Sequence, residues 1–527
     1  MRRTPLPTPP LPPGRPNLVV TGFMGTGKTE AGRAAATSLG APFVDTDELI
    51  ARRAGRPIAE LFAARGEEAF RAEERRAVLD ASRLSDAVVA TGGGAVLDRA
   101  SFATLAATGR VTVLRCDPEE LRSRLGPAAG RPLLTEPGRV TALLEERAPA
   151  YAEAGSPLDT TGRTVAETAA ALAGRAPSPA GPLSLIVGET EALVGRGAVE
   201  GLPGHITEAF PRATMAVIVT DPRAAEVAGR VMALAGAAGL EPHRIDVPSG
   251  EAAKSIRVAE EVWRGLLGLR LTRADPVIAV GGGATLDAAG FAAATFLRGV
   301  PTVLVPTTLL AMADACLGGK VAVDLGGAKN TVGAFHPPRL IAADPDALAG
   351  LPPDVLRTGL AEVIKAGVLA SPLLLDVLPQ DPPLGWVVEQ ALRIKAAYVS
   401  ADPEDRGVRR ALNLGHTFAH AIEAATGYAV PHGEAVAAGL VAAARLGGRV
   451  GVTPAGVTER VAAALEGLGL PTAPPRLDRA ALGRAMLTDK KRYGPGVAFV
   501  LPTEDGADLV EDIEVETALD ALQGTDR

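Results

Sequence analysis

A buried-strand signal, Leu18-Val-Val, runs straight into Gly22-Phe-Met-Gly25-Thr-Gly27-Lys28-Thr29, and Lys28 opens a helical stretch. No other feature of the chain narrows its possible folds so far. The glycines let backbone N–H groups curve around phosphates, Lys28 neutralises their charge and Thr29 can ligate magnesium, but only where a strand ends and a helix begins. An α/β fold with a parallel sheet meets that demand. Ala87-Val-Val-Ala90 and Val111-Thr-Val-Leu114, alternating with helix-like segments, continue the pattern, and ATP is the expected ligand.

One such unit uses only part of 527 residues, and ~100–200 residues per domain predicts three units. The run Ala173-Gly-Arg-Ala-Pro-Ser-Pro-Ala-Gly-Pro182 reads as an interdomain linker. Beyond it, Met215-Ala-Val-Ile-Val-Thr220, Pro276-Val-Ile-Ala-Val280 and Thr302-Val-Leu-Val305 predict a second nucleotide-type sheet. From about Asp346 helical patterns rich in alanine and leucine dominate until Val497-Ala-Phe-Val-Leu501. The expected organisation is therefore a disordered tail over 1–16, which holds seven prolines, then an α/β phosphate-loop domain at 17–172 and a linker at 173–184. A Rossmann-like α/β domain at 185–345 and a mostly helical domain at 346–527 complete it.

Composition removes several function classes. No apolar run approaches the ~20 residues of a membrane helix, and the N-terminus lacks the apolar core of a secretory signal. Cys116 and Cys316 alone make no disulfide framework, so a cytoplasmic protein is expected. A formal charge of −7 without long basic runs argues against nucleic acid and for small metabolites as partners.

Asp45 and Asp47 follow the apolar Phe43-Val44, at the end of a strand where α/β enzymes bind ligands. One carboxylate can help hold hydrated magnesium while the other accepts a hydrogen bond or proton from an acceptor hydroxyl. The competing reading is capping of the helix that continues as Glu48-Leu-Ile.

In the second half, Val280-Gly281-Gly282-Gly283 follows a strand and precedes Asp287, and Pro306-Thr307-Thr308 ends the next strand. The glycines suit a tight turn as readily as a loop carrying dinucleotide phosphates. Glu362 and Lys365 share one helix face, and His416 and His420 share another. Three of the six histidines, His416, His420 and His432, lie between Leu412 and Glu434. Glu362 with two imidazoles makes a catalytic zinc set that leaves coordination positions open; a packed polar core is the alternative. Arg298, Lys320, Lys329, Lys365, Lys395, Arg409, Lys490 and Lys491, several of them inside apolar or glycine-rich stretches, suggest a pocket for phosphate and carboxylate.

Gly66-Glu-Glu-Ala-Phe-Arg71, Thr91-Gly92-Gly93-Gly94, Gly130-Arg131-Pro and Arg147-Ala-Pro-Ala-Tyr151 follow the phosphate loop in an order that resembles shikimate kinase over Asn17 to Leu172. The resemblance implies that Gly25, Gly27, Lys28 and Thr29 serve ATP and magnesium, that Asp45 supports the metal, and that Asp47 contacts the accepting hydroxyl of shikimate. Arg71 and Arg147 would clamp the carboxylate, Gly92 to Gly94 would lie against the ring, and Arg131 would ride on a closing lid. Gluconate-type kinases share the fold, but this set of arginines favours a cyclic acid.

Gly250-Glu251-Ala-Ala-Lys254-Ser, Leu297-Arg298-Gly, Gly318-Gly-Lys320, Lys329-Asn330, Glu362-Val-Ile-Lys365, Arg409-x-x-x-Asn413-x-Gly-His416-Thr and His432-Gly-Glu resemble 3-dehydroquinate synthase from Leu185 to Asp508. That resemblance implies zinc, or cobalt, on Glu362, His416 and His432. It implies NAD on Asp221, Glu251, Lys254, Gly282, Gly283, Asp287, Thr307, Thr308 and Lys329. Asp314, Lys320, Asn330, Lys365, Lys395, Arg409, Asn413 and His420 would surround a heptulosonate phosphate, with Arg298, Lys490 and Lys491 adding charge. Such synthases are typically homodimers. Two departures concern the choice of sugar: Ala311-Met312-Ala313-Asp314-Ala315-Cys316 replaces Ala-Gln-Val-Asp-Ser-Ser, and Val321-Ala-Val-Asp324 replaces Thr-Gly-Val-Asn. Another sugar-phosphate cyclase, or a metal-dependent alcohol dehydrogenase fused to a kinase, is the rival reading; a catalytically dead half is a third.

Overall fold

Asn17–Gly22 is buried along its whole length because it lies at the centre of a parallel sheet covered on both faces. The computed structural model describes residues 1–125, 139–177, 181–326, 328–488 and 496–524. The sheet runs Phe43–Asp45, Val88–Ala90, Asn17–Gly22, Gly109–Arg115, Ser156–Asp159, every neighbour parallel. Leu18 and Val20 enter the core under helices Lys28–Leu39 and Val165–Ala173, while Val19 between them enters the opposite core with Val78 and Leu105. Register pairs Asp45 with Ala90 and Val20 with Ala90, so the phosphate loop, the two aspartates and the Thr91–Gly94 turn all leave the same sheet edge. These elements belong to a compact unit, Pro13–Ala180.

Met1–Pro12 and Gly181–Arg527 together make the other unit, which holds both 185–345 and 346–527. Its main sheet has seven strands, in the order Glu241–Asp246, Met215–Thr220, Val277–Gly281, Thr302–Pro306, Leu340–Ala343, Thr190–Val194, Leu183–Val187. All pair in parallel except the last two, which form a hairpin. Gly281 sits opposite Pro306, and Val280 opposite Thr220, which sets Asp221, Gly282 and Thr307 along one edge. A hairpin, Lys320–Leu325 with Ala328–Phe335, leads to helices Pro353–Ala370, Leu384–Ala401, His416–Ala425 and His432–Arg449. Among the described residues no helix is long and apolar enough to cross a membrane.

The N-terminal expectation needs correction: Arg2–Pro7 is an ordered strand rather than part of a disordered tail. It pairs antiparallel with Gly506–Ile513, which also pairs with Val497–Pro502. Pro5 and Pro7 are two residues apart, so their missing N–H groups fall on one side of the strand, and Arg2, Thr4 and Leu6 keep donors on the other. An edge strand tolerates that spacing.

Candidate active sites

In the Pro13–Ala180 unit, Gly27 adopts φ 89° immediately before Lys28, and no side chain caps the helix, so its first N–H groups are open to an anion. Lys28 Nζ donates to Phe23 O at 3.0 Å inside the loop. Both carboxylate oxygens of Asp45 are engaged. Its Oδ1 caps the next helix by accepting from Asp47 N at 2.9 Å and Glu48 N at 3.3 Å, while Oδ2 accepts from Thr29 Oγ1 at 2.6 Å. A hydroxyl and a carboxylate side by side at a phosphate loop suit hydrated magnesium.

Asp47 faces a cavity of about 250 Å³ shared with Lys28, Arg71, Gly92 to Gly94 and Arg147. Its Oδ1 is buried without a hydrogen-bond partner among the described residues. Burial, reinforced by the Asp45 charge and opposed by Lys28, pushes its carboxyl up to about 6. Arg147 is 4% exposed and donates to Gly93 O at 3.2 Å, which Tyr151 also reaches at 2.6 Å. Arg71 is held by Glu74 at 2.6 Å and Glu67 at 3.1 Å. A Cβ on Gly92 would come within 2.5 Å of Asp47 Oδ1, and one on Gly94 would strike the Arg71 guanidinium, so backbone alone fits here. The cavity thus has a carboxylate and a lysine at the phosphate end, two guanidiniums, and apolar walls from Ile58, Phe62 and Phe70. Arg131 lies outside the described residues. Glu74 escaped the sequence reading, although its spacing of three from Arg71 on a helix was a usable signal. Burial raises its carboxyl, with Arg71 and Arg147 opposing.

In the other unit three helices deliver the metal-type donors. Glu362 lies inside Pro353–Ala370, His416 opens its helix after Gly415 in the left-handed region, and His432 opens its own after Pro431. One ligand atom from each lies within 4.8 Å of the others. Glu362 Oε1 stands 3.5 Å from His416 Nε2 and 3.4 Å from His432 Nε2. The far nitrogens are anchored: His416 Nδ1 on Leu414 O at 3.1 Å and His432 Nδ1 on Glu423 Oε2 at 3.3 Å. Although burial works against it, hydrogen bonds to Glu362 and Glu423 push His432 up to about 10. One imidazole between two carboxylates is a site that asks for a cation, and one carboxylate with two oriented imidazoles fits zinc.

Beside this trio Glu362 pairs with Lys365, and Asp314 lies between Lys395 at 2.9 Å and Lys365 at 3.7 Å. Burial would raise Asp314, yet the two lysines hold its carboxyl well below the usual range. Asp314 sits on a single π-helical turn, Ala311–Ala315, a form frequent at functional sites. Of the departures around it, Met312, Ala313 and Cys316 are buried, and Cys316 Sγ donates to Met312 O at 3.5 Å. Lys320 pairs with Asp405, and Arg409 is buried with donors on Pro403 O and Gly318 O. Asn413 donates to Arg410 O at 3.1 Å, and the His420 ring packs edge-on to His416 with centroids 5.8 Å apart.

The dinucleotide candidates line the sheet edge. Gly282 caps helix Gly283–Thr295 with no side-chain partner, which leaves its first N–H groups for an anion. Thr307 N bonds Gly281 O at 2.9 Å, Thr308 Oγ1 accepts from Ala311 N at 3.2 Å, and a Cβ on Gly282 would press on Thr308 at 3.2 Å. Asp221 accepts from Ser249 and Thr285 at 2.9 and 2.7 Å. Lys254 bridges Asp287, at 2.5 Å, and Asn330, and Glu251 pairs with Lys329 at 3.3 Å. Arg298 is exposed at φ 66° and shares no hydrogen bond or ion pair with these groups among the described residues; Lys490 and Lys491 lie outside them.

Glu423 was missed in the sequence. It is buried and bonds both His432 and Lys329 Nζ, the latter at 3.3 Å, and Lys329 also lies 4.5 Å from the Tyr428 ring centroid. Its position seven residues after His416 and three after His420 put it on their helix face, which was the available signal.

Comparisons with known proteins match each region. The shikimate kinase family matches residues 24–174, the 3-dehydroquinate synthase N-terminal family 244–358 and the C-terminal family 359–492. A 3-dehydroquinate synthase of Symbiobacterium thermophilum is 42% identical over 329 residues, covering 60% of this chain and 92% of that protein. A 2-epi-5-epi-valiolone synthase of Streptomyces hygroscopicus, solved with NAD+ and Zn2+, is 26% identical with TM-score 0.57 over 66% of this chain and 98% of its own. A 2-deoxy-scyllo-inosose synthase at 22% identity, TM-score 0.60, covering 65% of this chain and 100% of its own, shares the fold.

Proposed function

The chain belongs to the 3-dehydroquinate synthase family and carries a shikimate kinase domain ahead of it, and from that premise we propose how its residues divide two reactions. It is a bifunctional enzyme of the shikimate pathway. One activity transfers the γ-phosphoryl group of ATP to shikimate, giving shikimate 3-phosphate. The other converts 3-deoxy-D-arabino-heptulosonate 7-phosphate to 3-dehydroquinate and phosphate, with NAD and a divalent metal.

In our reading residues 17–172 perform the first reaction. Arg71 and Arg147 hold the substrate carboxylate, and the Gly92–Gly94 backbone lies along the ring. Asp47, ionised above about pH 6, accepts the proton of the hydroxyl whose oxygen attacks the γ-phosphorus as ADP leaves. Lys28 compensates the phosphate charge, and Thr29 with Asp45 holds the magnesium.

Residues 185–345 would hold NAD along Asp221, Gly282, Gly283, Thr307 and Thr308, and Glu362, His416 and His432 would hold zinc or cobalt. When bound, the metal supplies Lewis-acid polarisation of a substrate hydroxyl and NAD a reversible hydride acceptor, so the dinucleotide is recycled. Lys365 and Lys395, buried around Asp314, carry the positive charge that a carboxylate and a phosphate require. Lys320, Arg409 and Asn413 extend it, and His420 stands beside His416 to hold or pass a proton. The convergence of three donor atoms within 4.8 Å beside the Asp314–Lys365–Lys395 cluster carries this assignment.

A homodimer through the synthase half and a cytoplasmic location complete the proposal. Exposed Leu325 and Phe335 on the hairpin, apolar area that association would cover, support the first, and two free thiols support the second. Zinc-loaded protein given the heptulosonate phosphate with catalytic NAD should release phosphate without net NADH, and should not do so with sedoheptulose 7-phosphate. Accumulation of stoichiometric NADH, or reaction of the second sugar alone, overturns the synthase reading.

A further inference from the structure

The first twelve residues precede the kinase domain in the chain, yet they fold into the synthase unit. Arg2–Pro7 forms the outer strand beside Gly506–Ile513, Leu6 is buried, and Arg3 gives two hydrogen bonds to Asp508 Oδ2 at 2.9 and 2.6 Å. The strand packs beside the turn Val408–Asn413, which carries Arg409 and Asn413.

Past the strand, the segment makes three polar contacts with two helices that carry site residues. Thr8 Oγ1 donates to Leu369 O at 2.6 Å, satisfying one of the last four carbonyls of the helix that bears Glu362 and Lys365. Tyr398 OH reaches Thr8 Oγ1 at 3.5 Å from the helix that bears Lys395, less than one turn away. Arg393, two residues before Lys395 and 6% exposed, donates through Nε and Nη2 to Pro12 O at 3.2 and 3.0 Å. A buried guanidinium needs such acceptors, so loss of the segment would leave donors of Arg393 to find other partners or water.

We propose that residues 2–12 are a positioning segment of the synthase: they tie together the three elements that present Lys365, Lys395 and Arg409, and the kinase domain is an insertion between that segment and the rest of the synthase. The proposal rests on the synthase reading above, which turnover of the parent enzyme in the same assay tests separately. Its consequence is that synthase kinetics depend on sequence at the far side of the kinase domain. Displacements of about 1 Å in a substrate-holding group cost up to ~10²-fold in rate, so the loss should be kinetic before it is global.

The test uses the full chain, with kinase activity of each variant as internal reference. Thr8→Val removes the hydroxyl at nearly constant volume and should lower synthase kcat/KM about tenfold, chiefly through KM for the heptulosonate phosphate, while Thr8→Ser restores it. Leu6→Asp should expel the strand and produce a larger loss, which a synthetic peptide spanning Arg2 to Pro12, added in trans, reverses. Synthase constants within twofold of the parent in both variants would overturn the proposal, as would equal loss of both activities or failure of serine and peptide to rescue.

Discussion

In the proposed kinase reaction Asp47 concentrates the chemistry in a single carboxyl. Replacing it with asparagine keeps the shape but removes the proton acceptor, so shikimate phosphorylation should fall by about 10²–10⁴-fold while synthase turnover is unchanged. Its carboxyl is raised to about 6, so the sign of the pH dependence is fixed. The ionised form is the competent one, and kinase kcat/KM should decline as pH drops through about 6; a profile flat from pH 7 to pH 5 would remove Asp47 from the proton path. Glu423 plays a different part, holding His432 Nδ1 at 3.3 Å while its other oxygen accepts from Lys329. Glu423→Ala should weaken zinc binding by about 10–100-fold, read by competition with a chelating dye and not by turnover, and Glu423→Gln, which retains an acceptor, should weaken it less. Equal zinc affinity in parent and alanine variant would show that the imidazole needs no such anchor.

Helices, more than individual ligands, decide whether the metal donors meet. A Cβ on Gly433 would collide with the backbone of Thr358 in the Glu362 helix, and one on Gly439 with the Gly415 carbonyl next to His416. Helix His432–Arg449 therefore approaches both partners through glycines, and alanine at either position must push backbones apart. We expect Gly439→Ala to cost about 1–3 kcal/mol and to lower zinc affinity while leaving kinase kinetics intact; normal zinc binding in a folded variant would argue against close packing as the cause. Legibility in the sequence also divides at this scale. The phosphate loop was readable because strand, glycines and helix are contiguous, and spacing joined Glu362 to Lys365 and His416 to His420, whereas the set Glu362, His416 and His432, on three separate helices, came from the family resemblance. Asp45 could not be resolved between cap and metal support because one oxygen caps the helix while the other accepts from Thr29 Oγ1. The ordered strand Arg2–Pro7 was illegible because its partner, Gly506–Ile513, lies some five hundred residues away and proline content alone suggests disorder. Arg298 shares the residue type of the pocket's cations, yet it is exposed and, among the described residues, stands outside their network of ion pairs.

At the scale of the whole molecule, two sets of chemical groups lie in different compact units and have no residue in common. Lys28, Asp47, Arg71 and Arg147 face one cavity, whereas Glu362, His416 and His432 converge in the other unit with their own lysines. The reactions also make opposite demands: one compensates polyphosphate charge at an uncapped helix N-terminus, the other concentrates buried ammonium groups around a carboxylate and a metal-type trio. Independent sites predict a double dissociation. Lys28→Met should abolish shikimate phosphorylation and spare 3-dehydroquinate formation, and His416→Ala should do the reverse, with both assays run on the same preparations. The chain order makes this informative, because the kinase domain lies between Pro12 and the remainder of the synthase and a variant that unfolds it could strain both connections. Lys28→Met changes a side chain at the phosphate loop that donates to Phe23 O at 3.0 Å and lies outside the hydrophobic core, so it should leave that framework standing. If it also halts the synthase while the melting temperature stays unchanged, the two activities communicate through the chain and independence fails.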